Sequence, residues 1–247
     1  MSFLKQFKRS LAIAEKNIKI YYFKGPVIVF GVLLPVFLLL AFYIGRSIPP
    51  DLLASGLISM TLFFASSAVS PVISPWEARM KTLERLISTP VSISTIVLGD
   101  ILASSAFGIA LTLIPIVIDI TLLVEIANLI IFTLSILLAD LCFSSLGVLL
   151  SAYPTDIPAD TVMLSTLIKF PLIFVSGVLI PLENLPHWGI LLASISPLTY
   201  FNDLIRFSIQ NISFYPVQVD FIILTLFTAL FLALSIKLHE KTILKRI

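Results

Sequence analysis

The chain has 247 residues, 58% of them hydrophobic and 12% charged, with a mean hydropathy of +1.09. A soluble domain carries about 25% charged residues, so the composition excludes a water-soluble globular protein and specifies an integral membrane protein; the membrane-length apolar runs read below make it all-α in class. The net charge of +2 says little until its distribution along the chain is considered.

Residues 1–24 read as an amphipathic helix lying in the headgroup plane. Phe3, Leu4, Phe7, Leu11, Ala14, Ile18 and Tyr21 form one stripe at helical spacing, and Lys5, Lys8, Arg9, Lys16 and Lys19 occupy the other side. Gly25-Pro26 then turns the chain into the bilayer. No cleavable signal segment is expected, because the first apolar run starts near Val27 and is long enough to span. Six spans follow, at about Val27–Ile44, Leu52–Ile73, Thr95–Val124, Ile126–Ala152, Thr161–Ile180 and Val219–Ile236. Each is close to or above the roughly 20 residues a bilayer core demands. Spans three and four form a tight hairpin around Glu125, and Pro35, Pro115 and Pro171 predict kinks in spans one, three and five.

Between spans two and three, Pro75–Gly99 carries both charge signs at helical spacing. Trp76, Met80, Leu83 and Ile87 recur at three and four residues, while Glu77, Lys81, Glu84 and Arg85 lie largely off that stripe. Pro90 stops the helix. A short amphipathic helix over Trp76–Thr89, held between two spans, can dock on a soluble partner and transmit its motion. The plainer alternative is a charged loop that serves topology only.

Lysine and arginine set the orientation. Six precede span one, three lie in the Pro75–Thr95 loop and four follow span six, against only Arg46 and Arg206 on the other side. Thirteen against two puts both termini and the 75–95 loop in the cytoplasm. The 182–218 segment is then outside. Pro181, Pro186 and Pro197 divide it, Ile190–Ile195 is apolar but too short to cross, and Trp188 and Tyr200 are interface-belt residues. It reads as one or two short helices lying in, or dipping into, the outer leaflet.

Two stretches resemble one known family, the type-2 ABC transporter permeases of multidrug and daunorubicin-resistance type. Glu77, Thr82-Leu83-Glu84, Leu86, Pro90 and Gly99 match the family's first internal loop, although Lys81 stands where Gly is usual and Asp100 where Lys is common. Ser176-Gly177, Pro181, Leu185-Pro186, Trp188, Pro197-Leu198-Thr199-Tyr200 and Arg206 match its second characteristic stretch. The resemblance implies one permease domain over residues 1–247, in the plasma membrane, moving substrate outward. It implies a second permease half, a copy or a paralogue, and two copies of a separate ATPase subunit that hold the ATP and Mg. It also implies that Trp76, Glu77, Arg79, Thr82, Leu83, Glu84, Arg85 and Pro90 couple to that ATPase. Pro181, Pro186, Trp188, Pro197, Tyr200 and Arg206 would then build the outer gate. No nucleic-acid partner is implied. None of the nine glycines is followed by lysine, so the chain has no phosphate-cradling loop and no cofactor of its own.

Asp140 and Lys169 are the charges expected within the bilayer, each at about +2.5 to +3.5 kcal/mol on the insertion scale. Helical rise puts Asp140 roughly 18 Å above the internal end of span four and Lys169 roughly 14 Å up span five. A neutralising Asp140–Lys169 pair between adjacent spans follows, with one or both on the substrate path as the functional alternative. Asp100, Asp119, Glu125 and Asp220 lie near span ends, where interfacial solvation accounts for them.

Two other classes compete. An ion-coupled secondary transporter would use Asp140 and Lys169 as a relay, but no self-similarity between halves is evident. An intramembrane enzyme would need a catalytic set at membrane depth. His187 and His239 lie outside the predicted spans, and Cys142 is the lone cysteine, so neither a catalytic set nor a metal site is expected.

Overall fold

The computed structural model describes residues 3–22, 31, 33–44, 49–121 and 124–243, with the side chains of residues 3, 4, 39, 42 and 43 set aside. Among the described residues every regular element is helical. In chain order these are α1 (Phe3–Asn17), a π-turn (Ile18–Tyr22), α2 (Leu34–Tyr43), α3 (Pro50–Ser67), α4 (Ser70–Arg79) and α5 (Thr82–Ile87). Then come α6 (Ile93–Thr121), α7 (Leu129–Ser151), α8 (Pro158–Val175), a 3-10 turn (Leu182–Asn184), α9 (His187–Ala193), α10 (Pro197–Gln210) and α11 (Val217–Thr242). Five stretches are long and apolar enough to cross a membrane: α3 with α4, α6, α7, α8 and α11. Of the predicted first span, Val27–Ile44, most of the first half lies outside the described residues, as do Gly25-Pro26 and Arg46.

Local chemistry starts the helices. Pro50, Pro158 and Pro197 open α3, α8 and α10 at the position where a missing N–H costs nothing. The Asn128 side chain accepts from the Ile131 N–H at 3.2 Å and caps α7.

The α3–α4 run is the centre of the bundle, 78% buried over its most apolar window, against 17% for α11. Its composition explains this. Ala54, Ser55, Gly56, Ser59, Ala65 and Ser66 let neighbouring backbones approach closely, and Phe63 and Met60 fill what remains. Phe63 meets Phe143 of α7 edge-on at 5.0 Å, and Phe143 meets Phe201 of α10 at 5.7 Å. Helix α10 is therefore a buried element packed on α3, α7 and α11, not a surface loop.

The N-terminal helix divides its predicted apolar stripe. Ala14 and Tyr21 turn inward with Ser10, Ile13, Asn17 and Tyr22 to pack on α6, whereas Phe7 and Leu11 stay exposed. The π-turn at Ile18–Tyr22 changes the helical phase and brings both tyrosines to the buried side. Gly99 permits the approach: a Cβ there would lie 2.9 Å from the Ser10 carbonyl oxygen.

Candidate functional site

The sequence Ser66-Ser67-Ala68-Val69-Ser70-Pro71 breaks the central helix between α3 and α4. Pro71 has no N–H, so the Ser67 carbonyl, four residues earlier, loses its helical donor. The Lys169 ammonium of α8 fills that role and donates to Ser67 O. One residue away, Ser66 Oγ donates to Asp140 Oδ1 at 2.5 Å. Ser105 Oγ of α6 donates to Asp140 Oδ2. Gly108 makes room for this group, since a Cβ there would sit 2.0 Å from Ser66 Oγ.

Asp140 and Lys169 are thus brought to the same level but not to each other. The predicted ion pair does not form, because α8 packs mainly on α4 and the α3–α4 break lies between the two charges. Each charge is instead hydrogen-bonded to one of two consecutive serines, Asp140 to Ser66 and Lys169 to Ser67. Composition did not point to Ser66, Ser67, Ser105 or Gly108. The available signal was the run of small residues ending in Pro71, where a proline within a span demands an outside donor.

Beside Lys169 lies a cavity of about 480 Å³. Among the described residues, α2 contributes Leu34 to it, and α3 and α4 contribute Phe64, Val72 and Trp76. Val162, Ser165, Thr166 and Phe170 of α8 form the facing wall.

A second polar group joins α1 to this region. Asn17 Nδ2 donates to Asp100 Oδ1 at 2.6 Å, and the Tyr22 hydroxyl meets Ser104 Oγ at 2.8 Å. Ser104 also bonds Ser70, the first residue of α4. Lys16 pairs with Glu77 near the end of α4. Asp100 is therefore buried and partnered, and Asp119 and Asp220 are buried as well. The expectation of solvation at span ends fails for all three; α1 packs on the helix that carries Asp100 and α10 on the helix that carries Asp220.

The predicted Trp76–Thr89 helix is two helices. Helix α4 continues out of the span to Arg79, and Lys81 takes a left-handed conformation (φ 55°) before α5 begins. This break resets the phase of the predicted stripe. Leu83 is buried at 1% exposure, but Met80 is 61% exposed, and Glu77 is the side chain that turns inward. Trp76 is half-exposed and faces the cavity. Thr82 Oγ1 donates to Glu77 O at 3.2 Å, and Arg9 of α1 donates to Pro90 O. Arg79, Lys81, Glu84 and Arg85 form an exposed polar face. The left-handed turn explains why a glycine suits position 81. Lys81→Gly is expected to leave stability unchanged or raise it by up to about 1 kcal/mol; a fall in the melting temperature of the solubilised chain would contradict the geometry.

At the other end of the bundle Arg206 makes a two-pronged contact with Glu183, at 3.0 and 3.2 Å. Burial opposes the Glu183 charge, but Arg206 holds the carboxyl below its ordinary range. Pro181 and Pro186 flank the 3-10 turn, and Leu182 folds over Gly177, whose φ of 79° suits glycine alone. Trp188 is 66% exposed, as an interface residue would be. Tyr200 is not: its ring is buried and its hydroxyl donates to Ser194 O at 2.8 Å, because α10 enters the bundle at Pro197.

The sequence that builds this bundle of apolar helices has relatives. The ABC-2 type transporter family matches residues 10–210, and the chain belongs to that family. It is similar to ABC transporter G family member 20 of Dictyostelium discoideum, with 28% identity over 165 residues, 63% of this chain and 22% of that protein. The chain therefore spans about a fifth of that relative's length. It is a multi-pass membrane component of an ABC transporter.

Proposed function

We propose that this chain is the permease half of an ABC exporter in the plasma membrane. It spans six times, the apolar run ending in α2 being the first crossing, with both termini and the 75–95 segment in the cytoplasm. It pairs with a copy or a paralogue and draws energy from two separate ATPase subunits, which hold the ATP and Mg. The outer gate comprises α9, α10 and the Arg206–Glu183 contact.

The observation that carries this reading is mechanical continuity. The outer part of the most buried membrane-length run, α4, leads from the break that holds Asp140 and Lys169, through Glu77 and its Lys16 clamp, to the exposed Arg79–Arg85 face. A push on α5 is thereby delivered to the middle of the bundle and to the wall of the cavity. Trp76, Glu77, Leu83 and Pro90 hold that lever in place, and Arg79, Thr82, Glu84 and Arg85 meet the ATPase.

Because Glu84 is exposed, its replacement leaves the fold intact and tests docking alone. Glu84→Lys is expected to insert and melt like the parent but to lose about tenfold or more in ATPase association, roughly 1.4 kcal/mol or above. Unchanged association and transport would mean that α5 is only a connector. Transport that persists without nucleotide and follows a proton or sodium gradient would favour the ion-coupled alternative.

A further inference from the structure

The cavity beside α8 combines features that select a ligand by charge. Lys169 lies at its inner wall, 5% exposed. An ammonium has three N–H donors, and Ser67 O is the acceptor the structure supplies among the described residues. No described carboxylate pairs with it; Asp140 is occupied by Ser66 and Ser105, and Glu77 by Lys16. A buried cation without a counter-charge is costly, and a bound anion would offset that. Around it the cavity is apolar, walled by Leu34, Phe64, Val72, Val162 and Phe170. Ser165 lies one turn from Lys169 on the same face of α8 and adds a hydroxyl at the charged end.

From this we infer that the cavity takes a small amphipathic organic anion, its acidic head on Lys169 and Ser165 and its apolar body between Phe64 and Phe170. That it is a transported substrate rests on the permease reading above; that it binds does not. The volume of about 480 Å³ lies within the range of about 300–1,000 Å³ that holds drug-sized ligands. A neutral amphiphile would leave the ammonium without a counter-charge, and an amphipathic cation would be repelled.

The test uses the full chain in nanodiscs of zwitterionic lipid, without nucleotide or ATPase. Fluorescence titration compares dansyl-undecanoic acid with its methyl ester and with a trimethylammonium analogue of equal length. The acid is expected to bind about tenfold or more tighter than the ester, and the cation weakest. Lys169→Gln should bring the acid down to the ester's affinity, and Lys169→Arg should preserve the preference. Ser165→Phe should weaken all three probes by filling the cavity. Equal affinity of acid and ester in the parent, or an acid preference that survives Lys169→Gln, overturns the proposal. Should Lys169→Gln fail to fold, the parent comparison and Ser165→Phe still decide it. If phosphatidylglycerol in the nanodisc displaces the acid, the occupant is bilayer lipid and the single-chain anion is wrong. Loss of these preferences alongside normal nucleotide-driven transport would sink the ligand class alone. Selective binding in a chain that never associates with an ATPase would sink only the permease reading.

Discussion

Removing Asp140 and Lys169 together is expected to be no better for stability than removing them one at a time. In an ion pair, deleting one partner strands the other at about 3–5 kcal/mol, and the double change recovers much of that loss. Here the charges have separate partners. Asp140→Ala leaves the Ser66 and Ser105 hydroxyls without their acceptor, at about 1–3 kcal/mol for each group left unsatisfied. Asp140→Asn keeps an acceptor oxygen and should lose much less. Lys169→Met withdraws the one donor that the described residues offer Ser67 O, at about 1–3 kcal/mol, offset in part because an ammonium no longer has to be buried. The single effects should therefore add to within about 1 kcal/mol in thermal melts of the solubilised chain. Recovery in the double variant would show that the two side chains meet after all, and would displace α8 from its place against α4.

Gly108→Ala is expected to be among the most damaging single-methyl changes in the chain. The added carbon would lie 2.0 Å from Ser66 Oγ, 2.6 Å from Asp140 Oδ1 and 2.9 Å from Ser66 Cβ. Ser66 Oγ and Asp140 Oδ1 are side-chain ends held in place by their mutual hydrogen bond, and Ser66 Cβ is fixed to the backbone, so α6 must move away from α3 or the Ser66–Asp140 bond must break. Overpacking of this kind costs about 1–3 kcal/mol, and a severed bond to a charged group adds about 1.5–3 kcal/mol. Gly189→Ala provides the contrast. Its Cβ would meet Leu185 and Pro186 at 3.4 Å, an ordinary contact. Within a helix alanine is favoured over glycine by about 1 kcal/mol, so no loss is expected. Combining Gly108→Ala with Ser66→Gly removes the clashing hydroxyl and should recover part of the stability. If Gly108→Ala melts like the parent, α3 and α6 are farther apart than described.

These expectations depend on facts that reached the sequence unevenly. The break between α3 and α4 was implicit in Pro71, whose missing N–H orphans the Ser67 carbonyl wherever that residue lies in a helix. Its partner could not be read, because a lysine 102 residues away supplies the donor. The 75–99 stretch was recognisable as a charged helical element between two spans by charge and spacing. Its phase was not, because a left-handed residue at Lys81 divides one periodic pattern into two helices with different buried faces.

What the sequence by itself determined is the class. Hydropathy sums over about 20 residues and prolines at helix starts are local quantities, and the multi-pass, all-helical architecture follows from them; the family followed from the motifs around Thr82-Leu83-Glu84 and Pro197-Leu198-Thr199-Tyr200. Facing was left to the tertiary structure. A span that is apolar on every side has no stripe to say which side meets a neighbour, so depth could be counted along the chain but direction could not. Only the packing of α8 on α4, of α1 on α6 and of α10 inside the bundle decided three points. Asp140 and Lys169 do not pair, Glu77 is buried on Lys16, and Tyr200 is in the interior.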